Sequence, residues 1–519
     1  MTTTLDLDRG DRSPSAAQAA GDTSAAGAPA DPRRFRALAV IAVAQLMIVL
    51  DATVVTIALP SAQHALHISV ANRQWVMTAY TLAFGGLLLL GGRIADYLGR
   101  KRMLVLSLLG FAGASALGGL AQNAAMLFGA RALQGAMAAV MAPAALSLIT
   151  VTFVEPRERA RAFGVYGAIA GGGAAIGLLL GGVLTQYASW RWTLLINVPI
   201  AVVSAVLASR LIGESRATRG TGYDVPGAVT ATAGLLALVY GFTRAGSDGW
   251  SSATTLAFLA VGVCLLAVFV LIERTSRHPL LPLRIVLDRN RGGSYLASLL
   301  VGIALFAMFL FLSFYFQGTL HYSAIKSGFA FLPFSAGIIV GATLSSRLLP
   351  RVGPRTLMVS GFGLAALGLG LFTMVNPHSS YLAPILPAEI IVSLGMGAAF
   401  VPLSSTALIG VSPGDAGVAS AMVNATQQVG GSLGVSLLNT VAASATASYL
   451  VTHGASASAQ AEAVVHGYTT AFTVSGVLLG LAAFSTLFIL RATRHDVAAA
   501  GQGAAVPLEG GPELDASAA

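Results

Sequence analysis

Residues 92–102 read Gly92-Arg93-Ile94-Ala95-Asp96-Tyr97-Leu98-Gly99-Arg100-Lys101-Arg102, and a degenerate copy, Ser346-Arg347-Leu348-Leu349-Pro350-Arg351-Val352-Gly353-Pro354-Arg355, stands in the second half of the chain. Each copy joins two apolar runs, 74–95 to 103–121 and 328–349 to 356–375. A short basic link punctuated by glycine between two such runs is a turn at one face of a membrane. Its recurrence predicts two parallel helical bundles related about the membrane normal. The aspartate of the first copy is Pro350 in the second, so the halves are not chemically equivalent.

The rest of the chain agrees with a membrane reading. Of its 519 residues, 55% are hydrophobic and 10% charged, and the mean hydropathy is +0.77. A soluble domain carries roughly 25% charged residues, so a soluble enzyme is excluded. Apolar runs lie near 37–60, 74–95, 103–121, 126–152, 161–184, 192–213, 225–243, 253–272, 294–317, 328–349, 356–375, 383–410, 420–445 and 468–490. Each is long enough for a helix, which needs about 20 residues to span, and alternating β-barrel segments are absent. The expected fold is an all-α polytopic membrane protein of about 14 transmembrane helices, with two six-helix bundles and two extra helices. The expected divisions are a disordered cytosolic tail at 1–35, a bundle at 36–213, two linker helices with a cytosolic loop at 214–292, a second bundle at 293–494 and a disordered tail at 495–519. Residues 1–35 lack the apolar core of a signal peptide.

Arginine sets the orientation. With the N-terminus in the cytosol, 25 of the 30 basic residues fall in tails and cytosolic loops, four (Arg73, Arg191, Arg244, Lys326) fall outside, and Arg131 lies within a span. The charge of +9 is therefore topology and implies no nucleic acid. The single cysteine, Cys264, excludes a disulfide framework and is expected to be a small buried hydrophobe. Both lysines, Lys101 and Lys326, lack the context of a phosphate-binding loop, so the chain does not use ATP through one. No metal motif is present; His64 and His67, the one close histidine pair, read as a solvated external turn.

Ionisable residues inside spans are costly and mark function by default. Asp51 lies in the first span; it either takes up and releases a proton or bonds statically to a neighbouring helix. Arg131 either biases the protonation of Asp51 or anchors backbone carbonyls. Glu389 either carries a proton or snorkels to the external interface. In the basic link, Gly92 and Gly99 permit a tight turn, while Asp96 beside Arg100, Lys101 and Arg102 suits a latch that forms in one orientation of the bundles. A plain basic loop accounts for the cations alone. Gly164, Gly167, Gly177, Gly181 and Gly182, with Gly171–Gly173, give the fifth span a flat face for sliding or for static packing. Gln45 and Gln134, with Asn424 and Gln428 one helical turn apart, are polar pocket candidates. Phe309 and Tyr315, within a run of ninth-span aromatics, suit a flat lipophilic ligand or a core.

Together these segments resemble the major facilitator superfamily, in particular its fourteen-helix drug:proton antiporter branch. Residues 92–102 are similar to the superfamily's motif A, Arg131 with Gln134 and Gly135 to motif B, Leu50–Pro60 to the branch's first-helix motif, and 164–182 to its glycine-rich motif. Trp190–Pro199 and Gly417–Gly434 are also similar to the branch. The resemblance implies export of lipophilic compounds, often antibiotics, driven by inward proton flow without a cofactor. It ties Asp51 and Arg131 to coupling and Asp96 to gating. Leu178, Thr56 and Gln427 depart from the branch's usual proline, asparagine and basic residue. The expected protein is thus a multi-pass exporter in a bacterial plasma membrane whose partners are a lipophilic substrate, protons and lipid. A carrier of one metabolite is the alternative, and a polytopic membrane enzyme would need the clustered His, Asp and Glu that the chain lacks.

Overall fold

Long apolar runs closed by glycine, proline and basic turns fold as helices, because helical hydrogen bonding satisfies every backbone group without water. The computed structural model describes residues 34–496 apart from 71, 154, 216–223, 277–278, 412–415, 455 and 495. The tails expected at 1–35 and 495–519 thus lie, except at their inner edges, outside the described residues. Thirteen helices are long and apolar enough to span, and the 32-residue helix Pro156–Tyr187 stands with them as the fifth of fourteen in chain order. They are α1 (Arg34–Ala65), α2 (Trp75–Leu98), α3 (Arg100–Gly119), α4 (Ala124–Thr152), α5 (Pro156–Tyr187) and α6 (Asn197–Leu211). Next come α7 (Val225–Asp248) and α8 (Ala253–Thr275). The last six are α9 (Arg289–Phe314), α10 (Leu332–Val352), α11 (Pro354–Phe372), α12 (Ile385–Thr406), α13 (Ala416–His453) and α14 (Ala457–Ile489). The described residues contain no strand. With fourteen helices, α1 begins and α14 ends on one face, the terminal face; the other is the far face.

The repeat seen in the sequence recurs in the backbone. Gly99 (φ 111°) separates α2 from α3, and Gly353 (φ 86°) separates α10 from α11. Only glycine adopts this left-handed turn without cost. Glycine also sets the helix spacing: a Cβ on Gly135 of α4 would lie 2.3 Å from the Tyr80 carbonyl of α2, and one on Gly302 of α9 2.2 Å from the Gln427 carbonyl of α13. Such close backbone approach supplies the packing that lipid, as apolar as any side chain, does not drive.

One apolar core lies among the terminal-face parts of α1–α4 and α6. A larger one joins the buried residues of α9–α12 and α14 to Val55, Ile57, Leu59, Leu127, Leu178 and Leu194 from the first half. The two halves are therefore packed together toward the far face. There Ser313 Oγ donates to the Thr56 carbonyl (3.0 Å) and Gln317 Nε2 to the Ile57 carbonyl (3.0 Å). At this place α9 widens into a π-helical turn, Tyr315–Thr319. Helix α7 bridges the halves, Thr243 accepting from Gln74 of the α1–α2 loop (2.9 Å) and the Phe242 carbonyl accepting from Thr440 of α13 (2.7 Å). Helix α8 packs on α7 through Gly234, Gly241 and Gly262. Its outer surface carries Cys264, which is exposed and not buried as expected, because α8 meets the rest of the protein along one side only. Helices α13 and α14 have 38 and 33 residues, and their far-face ends form a spur on which Tyr449 stacks against His453 (4.0 Å) and donates to Glu462 (2.8 Å).

Candidate functional site

Asp51, at the middle of α1, is fully buried among three donors from two other helices. Arg131 of α4 meets its Oδ2 at 2.5 Å. Its Oδ1 accepts from Gln134 Nε2 (2.9 Å) and from Asn197 Nδ2 of α6 (2.9 Å). Arg131, 1% exposed, also donates to the Gln134 amide oxygen (2.9 Å) and the Val76 carbonyl (3.0 Å), and lies 4.5 Å over the Tyr80 ring. Gln134 donates in addition to Ser115 of α3 (2.7 Å). One carboxylate, one guanidinium and two amides thus tie α1, α2, α3, α4 and α6 together. Removing two charges from water costs several kcal/mol per ion, which only such a fully bonded set offsets. Helical spacing places Arg131 and Gln134 on one face of α4. All three hydrogen-bonding partners of Asp51 donate to it.

Glu389, one turn into α12 at the far face, is completely buried and does not snorkel. The Tyr381 hydroxyl lies 2.7 Å from the Ala330 carbonyl and 3.1 Å from Glu389 Oε2, and Glu389 Oε1 is buried without a partner. A phenol has one hydrogen to give. That hydrogen is shared between two acceptors, the Ala330 carbonyl and Glu389 Oε2. Burial, then the neighbouring Glu389, push the Tyr381 phenol up, so it stays a donor.

At the terminal face Asp96 accepts from Arg100 one turn on (2.8 Å), within its own segment. The N-terminus of α3 is held instead by Glu214, just beyond α6, whose two carboxylate oxygens accept from the Lys101 and Arg102 amides (3.2 Å each). Arg93 donates to the Pro279 carbonyl beyond α8 (3.2 Å). Helix α5 presents glycine in two directions. A Cβ on Gly177 would lie 1.9 Å from Thr53 Oγ1 and one on Gly181 2.8 Å from the Val54 carbonyl, both on α1. One on Gly182 would meet the Ala324 carbonyl of the second half at 2.8 Å. Gly164 and Gly167 belong to α5, but their surroundings lie outside the described residues.

A profile of the Major Facilitator Superfamily matches residues 41–435. The chain belongs to the Major Facilitator Superfamily. It is 52% identical over 471 residues to the puromycin resistance protein pur8 of Streptomyces alboniger, covering 90% of this chain and 93% of that one. It is 41% identical over 415 residues to the cephamycin export protein CmcT of Amycolatopsis lactamdurans, covering 79% and 85%. Its fold is similar to the crystal structure of a bacterial homologue of the human lysosomal transporter Spinster, with a TM-score of 0.63, 16% identity, and coverage of 90% of this chain and 99% of that one. As a superfamily member it is a multi-pass membrane transporter and not an enzyme.

Within this superfamily fold the remaining candidates fall at different places. Gln45 is buried on α1 with its Oε1 unpartnered, and Gln428 on α13 has an equally unpartnered Oε1 beside Gly85 of α2. Asn424, one turn before it, is exposed. Gln134 is taken up in the Asp51 network. Phe309 packs against Phe331 and Phe334, and Tyr315 donates to the Asn376 carbonyl (2.8 Å), both within the aromatic packing of the second half. The sequence did not single out Asn197, Ser115 or Glu214 as bonding groups. Asn197 carried a readable signal, a lone carboxamide inside an apolar run; a serine in a span carries none.

Proposed function

We propose that this transporter is a proton-coupled antiporter that exports lipophilic drugs or antibiotics across the bacterial plasma membrane by alternating access. The observation that carries the reading is the buried Asp51–Arg131 pair, a charge centre that a single proton can dissolve. The distribution of arginine supports a cytosolic terminal face, the one at which α1 begins and α14 ends. The residues 36–213 and 293–494 act as the two moving bundles, with 214–292 riding on them.

In the far-face-closed arrangement Asp51 holds Arg131. When the far face opens, a proton from outside occupies Asp51, Arg131 loses its counter-charge and turns to its remaining acceptors, and α1 is freed from α4 and α6. Glu389 serves as a second proton carrier, in the other half. Asp96, Arg100 and Lys101, with Gly92 and Gly99, latch the cytosolic side when it closes. The glycines of α5, Gly164, Gly167, Gly177, Gly181 and Gly182, let α1 and the second bundle slide over that helix. Gln45, Gln134, Phe309, Tyr315, Asn424 and Gln428 contribute to the substrate path. No cofactor, ATP or nucleic acid takes part; the proton gradient supplies the energy.

The test is accumulation and susceptibility in an efflux-deficient bacterium, starting with puromycin and cephamycins and widening to neutral and cationic lipophiles. Wild type lowers accumulation, and Asp51→Asn or an uncoupler abolishes that effect. Export that survives both treatments removes Asp51 and the proton from the mechanism. Likeness to a cephamycin export protein favours one second reading, a dedicated exporter of a single endogenous product; a response to one compound in the whole panel selects it.

A further inference from the structure

Between the far-face ends of the two halves lies a cleft of about 980 Å³, lined among others by His64, His67, Arg73, Phe314, His321 and Tyr468. Among the described residues no aspartate or glutamate lines it. Arg73, in the α1–α2 loop, is only 8% exposed, and its Nε is buried without a partner. Its guanidinium lies 3.6 Å from the centre of the Phe314 ring of α9, beside the hydroxyl of Tyr468 on α14. A desolvated cation of one half is thus seated on an aromatic face and a phenol of the other, where a cation–π contact is at its strongest. The main-chain contacts of Ser313 and Gln317 flank it on the same turn of α9. His67 (φ 50°) and His321 (φ 53°) are the two non-glycine residues of left-handed backbone among the described residues, and both face this cleft.

We propose that Arg73 is the clasp that holds the far face shut, and that protons arriving on His64, His67 and His321 release it. The proposal rests on the reading of this chain as an alternating-access transporter with its far face outside. Histidine is the side chain that gains charge on mild acidification. Around the cleft the titratable and charged groups are His64, His67 and Arg73 from the first half, His321, Tyr322 and Lys326 from the α9–α10 link, and Tyr468 of α14; His466, two residues before Tyr468, faces away from it toward Tyr449 of α13. Lys326 already sits 3.7 Å over the Tyr322 ring. Protonated histidines therefore add positive charge to a cleft with no acid among its described lining residues to absorb it. The repulsion falls on Arg73, the one cation whose seat depends on the halves being together. Acid outside then opens the side from which Asp51 is to be loaded, so the clasp positions the two halves for proton entry and takes no part in substrate binding.

Spin labels at Val70 and Leu382, both exposed at the far face on opposite halves, report the opening in a Cys264→Ala background in lipid nanodiscs. At neutral pH the wild type gives one short distance. Arg73→Gln lowers the closed-to-open ratio about tenfold, the loss of one desolvated cation–π contact, and Tyr468→Phe lowers it less. Mild acid lengthens the wild-type distance, and the His64→Gln/His67→Gln/His321→Gln variant keeps the short distance in acid while matching wild type at neutral pH. An unchanged distance in both Arg73→Gln and Tyr468→Phe overturns the clasp. An acid response that persists in the triple variant but vanishes with Asp51→Asn overturns the histidine trigger. The distance needs no transported compound, so failure of the export assay leaves this test standing.

Discussion

Dissolving the Asp51–Arg131 pair from its two sides has unequal cost. In Asp51→Asn the guanidinium keeps the Val76 carbonyl, the Gln134 oxygen and the Tyr80 face but has no anion, and arginine cannot shed its proton. Removing one partner of a buried pair costs about 3–5 kcal/mol, and this variant lies at that upper end. In Arg131→Met the orphan is a carboxyl that still accepts from Gln134 and Asn197 and can neutralise itself by taking a proton. Its expected cost is the smaller of the two, about 3 kcal/mol. The double variant loses both charges and is expected to be milder than the sum of the singles by at least about 2 kcal/mol. The assay is the midpoint of thermal unfolding in detergent, read by size exclusion after heating, for the four proteins. Equal losses for the two singles, or strict additivity in the double, would refute the argument that the pair is one coupled unit.

Three further outcomes are expected. Gly181→Ala forces its Cβ onto the Val54 carbonyl of α1 and costs about 1–3 kcal/mol, checked by the same unfolding midpoint, whereas Gly480→Ala, with open space around it, is expected to be neutral. Glu214→Ala uncaps α3 and costs about 1 kcal/mol; more rapid amide exchange at Lys101 and Arg102 than in wild type confirms it, and unchanged exchange rejects it. Glu389→Gln keeps a hydrogen-bonding group beside Tyr381 but carries no exchangeable charge. If Glu389 moves a proton, substrate-induced proton release from purified protein falls while folding is retained; unaltered release assigns Glu389 to structure.

The spans, the repeat and the charged pair are legible in the sequence because each is tightly constrained by lipid. A long apolar run is too insoluble for anything but a span, a glycine closing such a run marks a turn, and a charge inside a span needs a partner. That Asp51 and Arg131 meet follows less directly: the sequence allows proton release or a static bond, and the fold brings both residues to one point with Gln134 between them. Asn197, Ser115 and Glu214 stay hidden for a different reason. Their side chains are ordinary in sequence, and their roles arise only where α6 crosses α1 or where the end of α6 returns to α3. Cys264 reads as buried and is exposed, because hydrophobic and buried are different properties in a bilayer protein, whose outer helices turn apolar side chains to lipid.

The paired ends of α13 and α14 have a practical use. At about 1.5 Å per residue, a helix as long as α13 measures roughly 57 Å, against a hydrocarbon slab of about 30 Å, so much of it stands clear of a micelle. Two helices braced by the Tyr449–Glu462 bond form a stiff post on a protein that is otherwise nearly all belt. An antibody fragment raised against that post would move rigidly with the second half, giving electron microscopy a landmark by which to sort particles according to the tilt of one half against the other.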